Sequence, residues 1–567
     1  MTVSLVLGPL LRYTGEDAAT IWVQTDGAAS VTVSVAGREY AARTFAVHGH
    51  HFALVVIQGL PAGSRETYTV SLDGRQVWPE PGSAFPDSRI PLLARGRATR
   101  LAFGSCRTTA PHDEEGNRRH GVDALRAYAL RMLQTAEDGD GGTEGTGEHP
   151  DPWPDLVLFL GDQIYADETP AAMREFIAER RGLDEPPGEE IKDFVEYAEL
   201  YRLAWSSPEN RWLLSTLPSA MIFDDHDVRD DWNTSWDWHR RMRTVPWWHE
   251  RIVGALSSYW VYQHIGNLAP DELAEDELWR VVSAHRDSDA DEELDLTSAL
   301  ETLAERADEH PESYRWSFAR DLGDCRLVMV DSRAARVLEP GRRSMLDEVE
   351  MEWLDSRLQG DTSHLFIGTS LPFLLPPGLH DFEAWSEVAA RRAYGHRMGN
   401  AAERLRQAID LEHWAAFNDG FGQVFDMVME VARGERGEAP ATVTFLSGDV
   451  HNSYVAEVDA PGRYGARSRI IQAVCSPIRN PMPIPIRIVM SLFAKGLAGP
   501  MRFVAGRSKR VPDPRYPWTV TDGPWFDNNL AICDIDGPRL HLTWFTGSVE
   551  DGDLDRPRTA VVADVRI

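Results

Sequence analysis

Cations are scarce in this chain: 58 Lys and Arg stand against 89 Asp and Glu, a formal charge of −31 over 567 residues. That balance argues against sequence-independent binding to nucleic acid, because affinity for a polyphosphate backbone comes mainly from neutralising it with Lys and Arg. Any anionic substrate must be recruited by local cations instead. Cysteine is scarcer still. Cys106, Cys325, Cys475 and Cys533 are widely separated and no C-x-x-C pair occurs, which excludes a disulfide framework and a zinc-finger ligand set and fits a reducing compartment. The opening residues lack the basic, apolar and small-residue parts of an export signal, so a cytoplasmic location is expected. The most apolar late stretch, residues 484–506, is interrupted by Arg487, Lys495, Pro500 and Arg502. Charges are costly at a membrane centre, so this stretch is expected to be a buried or edge-lying helix, and no membrane-spanning segment is predicted. No internal repeat is evident, and nothing in the sequence speaks to oligomeric state.

Length favours two or more domains. Residues 1–95 carry short runs rich in β-branched and aromatic residues, "TIWVQT", "SVTVSVAG", "HFALVVIQGL" and "ETYTVSLDG", separated by Gly, Pro and Asp turns. This pattern predicts a small antiparallel β-sandwich of the fibronectin III-like kind. From residue 96 to 567 aliphatic strands are followed by amphipathic stretches, which predicts an α/β domain. Two insertions interrupt it: residues 137–152 are Gly-rich and acidic, expected to be a mobile loop, and residues 271–312 are acidic and helix-prone.

Four strands end in groups able to bind a metal. "LAFGSC" delivers Cys106, "LVLFLGDQIY" delivers Asp162 and Tyr165, with Asp167 beyond them expected to brace the turn, "AMIFDDHD" delivers Asp224, Asp225, His226 and Asp227, and "VTFLSGDVH" delivers Asp449 and His451. The tips of one sheet converge, so residues remote in sequence can share a pocket. Each residue alone has an ordinary structural use: Cys as an inert buried thiol, Asp as a turn former or cap. Their repetition at successive strand ends predicts a shared metal centre. Thiolate and phenolate suit a strongly Lewis-acidic ion such as ferric iron, while carboxylate and imidazole accept several divalent ions.

"GSC", "GDQIYAD", "DDHD" and "SGDVH", in this order, resemble the alkaline phosphatase D (PhoD-type) family of calcineurin-like metallophosphatases. "VDSRAAR" (330–336) and "MEWLDSRL" (351–358) are similar to further family segments. The resemblance covers most of residues 98–567 and extends to the preceding sandwich. It implies a metallophosphatase-like αββα sandwich in which Cys106, Asp162 and Tyr165 surround an Fe(III)-like site, Asp162 reaches a second metal bound by Asp225, and Asp449 and His451 complete the cluster. Ca2+ is the second metal it implies. The chain departs from the family after "DDH", where Arg229, Asp230 and Asp231 stand in place of the usual Asn, which leaves other divalent ions open at that site. The missing export signal is a second departure.

The implied reaction is phosphoester hydrolysis by metal-activated water, with a small phosphomonoester as the first substrate class and a phosphodiester on the same metal core as the alternative. A metal-stabilised binding protein without catalysis is the reading from a different class. His226, beside a metal ligand, is the candidate to protonate the leaving alkoxide, its structural alternative being to orient Asp225. Arg107 and Arg229 are candidates to grip phosphate, or else to pair with a nearby carboxylate. Trp232, Trp236 and Trp238 are expected to pack rather than stack on substrate. No G-x-S-x-G elbow appears and Cys106 lacks an Arg-rich phosphate loop, which argues against a serine or thiol nucleophile.

Overall fold

The computed structural model describes residues 2–137, 153–286, 292–339, 341–390, 412–487 and 514–567. The Gly-rich insertion therefore lies largely outside the described residues, as does most of the apolar stretch 484–506. At the start of that stretch Ile484 is exposed. Among the described residues no helix is long and apolar enough to cross a membrane.

Two of the sheets form the N-terminal β-sandwich. One has the order Leu5–Thr14, Ala18–Thr25, His50–Gln58, Phe45–Val47; the other runs Arg38–Arg43, Ser30–Val35, Arg65–Leu72, Arg75–Trp78. The alternation read from "SVTVSV" is observed: Val31, Val33 and Val35 are buried in the sandwich core while Ser30 faces solvent, as a half-buried antiparallel strand requires. The acidic insertion contributes the helices Pro270–Glu275, Glu277–Arg286 and Thr297–Glu309. It also adds something no periodicity announced. Leu294–Asp295 pairs in parallel with Phe45–Val47, so the α/β part of the chain extends the sandwich's own sheet. Glu293, next to that strand, pairs with His51 at 2.7 Å. The fully buried Arg12 guanidinium donates to the carbonyls of Tyr262 at 2.6 Å and Gln263 at 2.8 Å, tying the two parts together from the other side.

The remaining two sheets make up the α/β part. Among the described residues, one is six-stranded, in the order Ser219–Ile222, Leu156–Leu160, Thr99–Gly104, Leu530–Asp536, Arg539–Ser548, Arg558–Arg566. The other is seven-stranded, in the order Phe318–Leu322, Cys325–Val330, His364–Thr369, Thr442–Ser447, Arg469–Val474, Ser453–Val458, Trp518–Trp525. In the six-stranded sheet the first three strands are parallel, as are Cys325–Val330, His364–Thr369, Thr442–Ser447 and Arg469–Val474 in the other. Leu156–Leu160 and Thr442–Ser447 are buried at every position, which is why "LVLFL" reads as an unbroken apolar run rather than as alternation. One hydrophobic core spans the two sheets, joining Leu101, Phe103 and Leu158 to Phe366, Leu446 and Ile471. Each such side chain contributes roughly 1.5–3 kcal/mol on burial.

Candidate metal centre

The ligand-bearing tips come from both sheets, not from one as the sequence suggested. Cys106, Asp162 and the Asp224–Asp225 pair follow adjacent parallel strands of the six-stranded sheet, whereas Asp449 follows Thr442–Ser447 of the facing sheet. Two glycines let the tips approach. Gly161 has φ +107°, and a Cβ there would lie 2.7 Å from the Cβ of Asp224. A Cβ on Gly448 would lie 2.0 Å from Ser105 Oγ, so only glycine lets the second sheet's tip close on the first. The backbone then turns through left-handed conformations at Cys106 (φ 55°), Asp162 (49°), Asp449 (64°) and His451 (48°). Strained backbone of this kind persists only where the surroundings over-determine it.

The surroundings do so through a second layer of hydrogen bonds. Asp227 is buried and accepts the backbone N–H groups of Asp162 at 3.0 Å, Ile164 at 3.3 Å and Asp224 at 2.9 Å, locking two ligand loops together. Ser105 Oγ accepts the N–H of Asp449 at 3.0 Å, which joins the sheets. Ser476 Oγ donates to Cys106 Sγ at 3.3 Å and accepts the N–H of His451 at 3.2 Å. Arg333, fully buried, donates to Asp224, lies 3.1 Å from Asp225 and pairs with Glu412.

Inside this frame ligand atoms of Cys106, Asp162 and Asp449 lie within 4.8 Å of one another, and the same holds for Asp162, Asp224, Asp225 and Asp449. Asp162 and Asp449 belong to both groups, which is the arrangement of carboxylates placed to bridge two ions. Oδ1 of Asp162 and Oδ2 of Asp224 are buried without a hydrogen-bond partner. Burial, with Asp224 and Asp225 adding repulsion, holds the Asp162 carboxyl well above the usual range, although His226 opposes the shift. Burial likewise raises Asp224 despite Arg333. Burial also acts to raise Asp449, but His413 and Arg333 outweigh it and bring that group down to about 2. Arg333 and His413 supply only part of the positive charge that four buried carboxylates with orphaned oxygens call for, and bound cations would supply the rest. The donor set therefore fits metal ions.

Residues 147–484, more than half of the chain, match the family model described as PhoD-like phosphatase. The chain belongs to the PhoD-like phosphatase family. It is accordingly a metal-dependent phosphoric ester hydrolase. Residues 2–90 match a second family model, described as a domain of unknown function (DUF7800). A solved structure of PhoD aligns over 99% of this chain and 90% of its own, at 12% identity and a TM-score of 0.56, and so shares the fold. A purple acid phosphatase, PPD1 from yellow lupin (Lupinus luteus), aligns over 97% of this chain and 73% of its own at 11% identity and a TM-score of 0.45. No curated protein sequence matches the chain.

In this PhoD-like phosphatase Tyr165 is buried beside the cluster, its hydroxyl 3.4 Å from Asp162 Oδ2 and its ring 4.6 Å from that of His226. Burial pushes the Cys106 thiol well up, with Asp162 and Asp449 adding to it, so without a cation beside it this sulfur is neither a thiolate nor a nucleophile. His226 Nδ1 meets Asp167 Oδ1 at 2.9 Å, and Asp167 also accepts the N–H of Asp230 at 2.6 Å. Asp167 is thus more than a brace for its own turn. Burial lowers the His226 ring's proton affinity, but Asp167 and then Asp225 and Asp162 outweigh this and hold it well above the usual imidazole range. Asp225, His226 and Asp230 form a further group of close ligand atoms on the more open side.

Three expected site residues sit differently. Arg107 is buried and committed to Asp123, at 3.0 and 2.7 Å, and to the carbonyl of Ala204 at 2.8 Å. Arg229 pairs with Glu190 at 3.3 Å and lies over Trp247. For both, pairing with a carboxylate is the arrangement observed in place of an open phosphate grip. His451 is half-buried and is not among the groups of closely approaching ligand atoms; burial lowers its ring to about 4, so it stays neutral. Trp232 packs on Phe223 at 5.3 Å and Trp238 on Trp248 at 5.3 Å, both buried. The sequence names Asp224 among the groups able to bind a metal, but the ligand set implied by the resemblance leaves it out, and nothing in the sequence assigns a role to Arg333, Glu412 or His413. "VDSRAAR" pointed to a segment of interest without saying what its arginines touch.

Proposed function

We propose that this phosphatase hydrolyses small phosphomonoesters at alkaline pH, with Cys106, Asp162, Tyr165 and Asp449 holding an iron-like ion and Asp162, Asp224, Asp225 and Asp449 holding a divalent ion such as calcium. Metals held there would lower the pKa of water towards about 7 and offset charge on the phosphoryl oxygens. The protein's own contribution is orientation and proton transfer. Asp167 fixes Nδ1 of His226 and leaves Nε2, 4.0 Å from Asp230, to carry a proton to the leaving alkoxide. The high proton affinity of that ring suits a general acid working above neutral pH. Burial of Asp162 and Asp224 excludes bulk water from the ligand set.

The observation that carries this reading is the pair of carboxylate groups sharing Asp162 and Asp449, with buried oxygens left unpaired. It is tested by steady-state hydrolysis of p-nitrophenyl phosphate and bis-p-nitrophenyl phosphate by metal-loaded protein, with chelation and Asp162→Asn as controls. Hydrolysis of the monoester with the higher kcat/KM, abolished by both controls, is expected. A reversed preference moves the assignment to phosphodiesters, and no turnover of either by the metal-loaded chain favours the binding-protein reading.

A further inference from the structure

Two residues outside both sheets reach into the cluster from one short segment. Glu412 and His413 are adjacent in sequence and precede the 3-10 turn Trp414–Phe417. Glu412 grips Arg333, which in turn contacts Asp224 and Asp225. His413 reaches the other shared carboxylate: its Nε2 lies 3.5 Å from Asp449 Oδ2 and meets no other acceptor. Its Nδ1 is held at 2.7 Å by Glu383, a fully buried residue of the helix Pro377–Ala390.

We infer that Glu383 and His413 form a positioning pair that sets the Asp449 carboxylate for metal binding. The idea rests on the metal reading above and deepens it. Asp449 sits on a left-handed residue at the end of a strand, with only the Ser105 hydroxyl fixing its backbone N–H. A carboxylate on such a tip can rotate about its side-chain torsions. A donor on Oδ2 takes up one oxygen and directs the other towards the shared ions. Glu383 is needed because an imidazole held at one nitrogen only can turn about its own Cβ–Cγ bond; the second contact fixes the ring plane. Adjacent residues thus brace both carboxylate sets, Glu412 through Arg333 and His413 directly. His413 is a positioning residue and touches no reacting atom.

The test is equilibrium titration of metal-stripped full-length protein with Mn2+ against a competing chelator, alongside a thermal melt of each variant. His413→Ala is expected to weaken Mn2+ binding by about 10–100-fold, the usual cost of losing a residue that orients a ligand. His413→Gln keeps an amide donor near the Nε2 position and is expected to bind close to the wild type, and Glu383→Gln to fall between the two. His413→Ala binding Mn2+ as tightly as wild type overturns the inference, and so does His413→Gln binding as weakly as His413→Ala while still melting cooperatively. A wild type that binds no Mn2+, with Asp162→Asn indistinguishable from it, overturns the metal reading itself and this inference with it. The two failures are therefore told apart by the wild-type titration.

Discussion

Replacing Arg333 with Ala should destabilise the metal-free protein strongly and the metal-loaded protein much less. The guanidinium is fully buried among Asp224, Asp225 and Glu412, whose side chains are 0%, 7% and 4% exposed. Removing one partner from a buried ionic set leaves charge without compensation and costs about 3–5 kcal/mol. With an unfolding entropy of about 2.1 cal/mol/K per residue over 567 residues, the total is about 1.2 kcal/mol/K, so the melting temperature should fall by about 2.5–4 °C. Bound cations change that balance. They would supply positive charge to Asp224 and Asp225, while Arg336 still meets Glu412 at 3.1 Å. Calorimetric melts of wild type and Arg333→Ala, each in chelator and in saturating divalent metal, measure both numbers. The reasoning is refuted if the stripped variant melts with the wild type, or if the deficit is the same with and without metal.

Three further outcomes are expected. His226→Ala should lower turnover by roughly 10²–10⁴-fold with metal content unchanged; loss of metal instead would make the residue an orienting one. Gly448→Ala places a methyl 2.0 Å from Ser105 Oγ and should cost about 1–3 kcal/mol as overpacking, with Ser105→Gly in the same chain recovering part of it; no recovery in a denaturation curve counts against sheet-to-sheet closure at this point. Glu350 is buried, and burial, with Asp331 adding, raises its carboxyl to about 8. An unfolded glutamate releases its proton near 4.5, so between these values the folded state holds the extra proton and stability declines as pH rises from about 4.5 to about 8. Glu350→Gln should remove that component, and a melting temperature that falls across this range as steeply as in the wild type would contradict it.

The strand tips that converge on the candidate centre are legible because they follow buried strands, and such a strand appears in sequence as a largely apolar run ending abruptly in polar residues. "LVLFLGD" shows this directly, and "VTFLSGD" shows it with Thr444 inside the run. The sandwich was legible by its alternation. That the tips belong to two sheets was not, because "VTFLSGD" reads the same whether its strand neighbours Leu156–Leu160 or faces it across a core. Which of their two uses Arg107 and Arg229 take is not legible for a related reason: an arginine next to a candidate ligand in sequence gives no sign of Asp123 or Glu190, which reach it through the fold. Arg333, Glu412 and His413 carry no periodic signal at all. Their partners lie from 30 to 109 positions away, at separations where only the folded chain decides contact. The interval from His413 to Glu383 is 30 residues.

The division between legible and illegible residues follows from what each group does. Ligands must sit at strand ends, where the backbone leaves the ladder and can take the left-handed turns seen at Cys106, Asp162 and Asp449. Each turn costs on the order of 1–3 kcal/mol, and nothing in the strands offsets that cost. The offset comes from groups that link one tip to the next: Asp227 across two loops, Ser105 across the two sheets, Ser476 between Cys106 and the His451 turn. These linkers are short polar residues, or charged ones beside a more conspicuous neighbour, so in sequence they resemble ordinary turn formers. Asp227 illustrates the point. It stands within "DDHD" as one acid among three, and only its three backbone N–H partners distinguish it from Asp225, which faces the cluster. A carboxylate saturated by backbone donors orders loops, whereas the unpaired buried oxygen of Asp162, beside Asp224, Asp225 and Asp449, fits the cation proposed there.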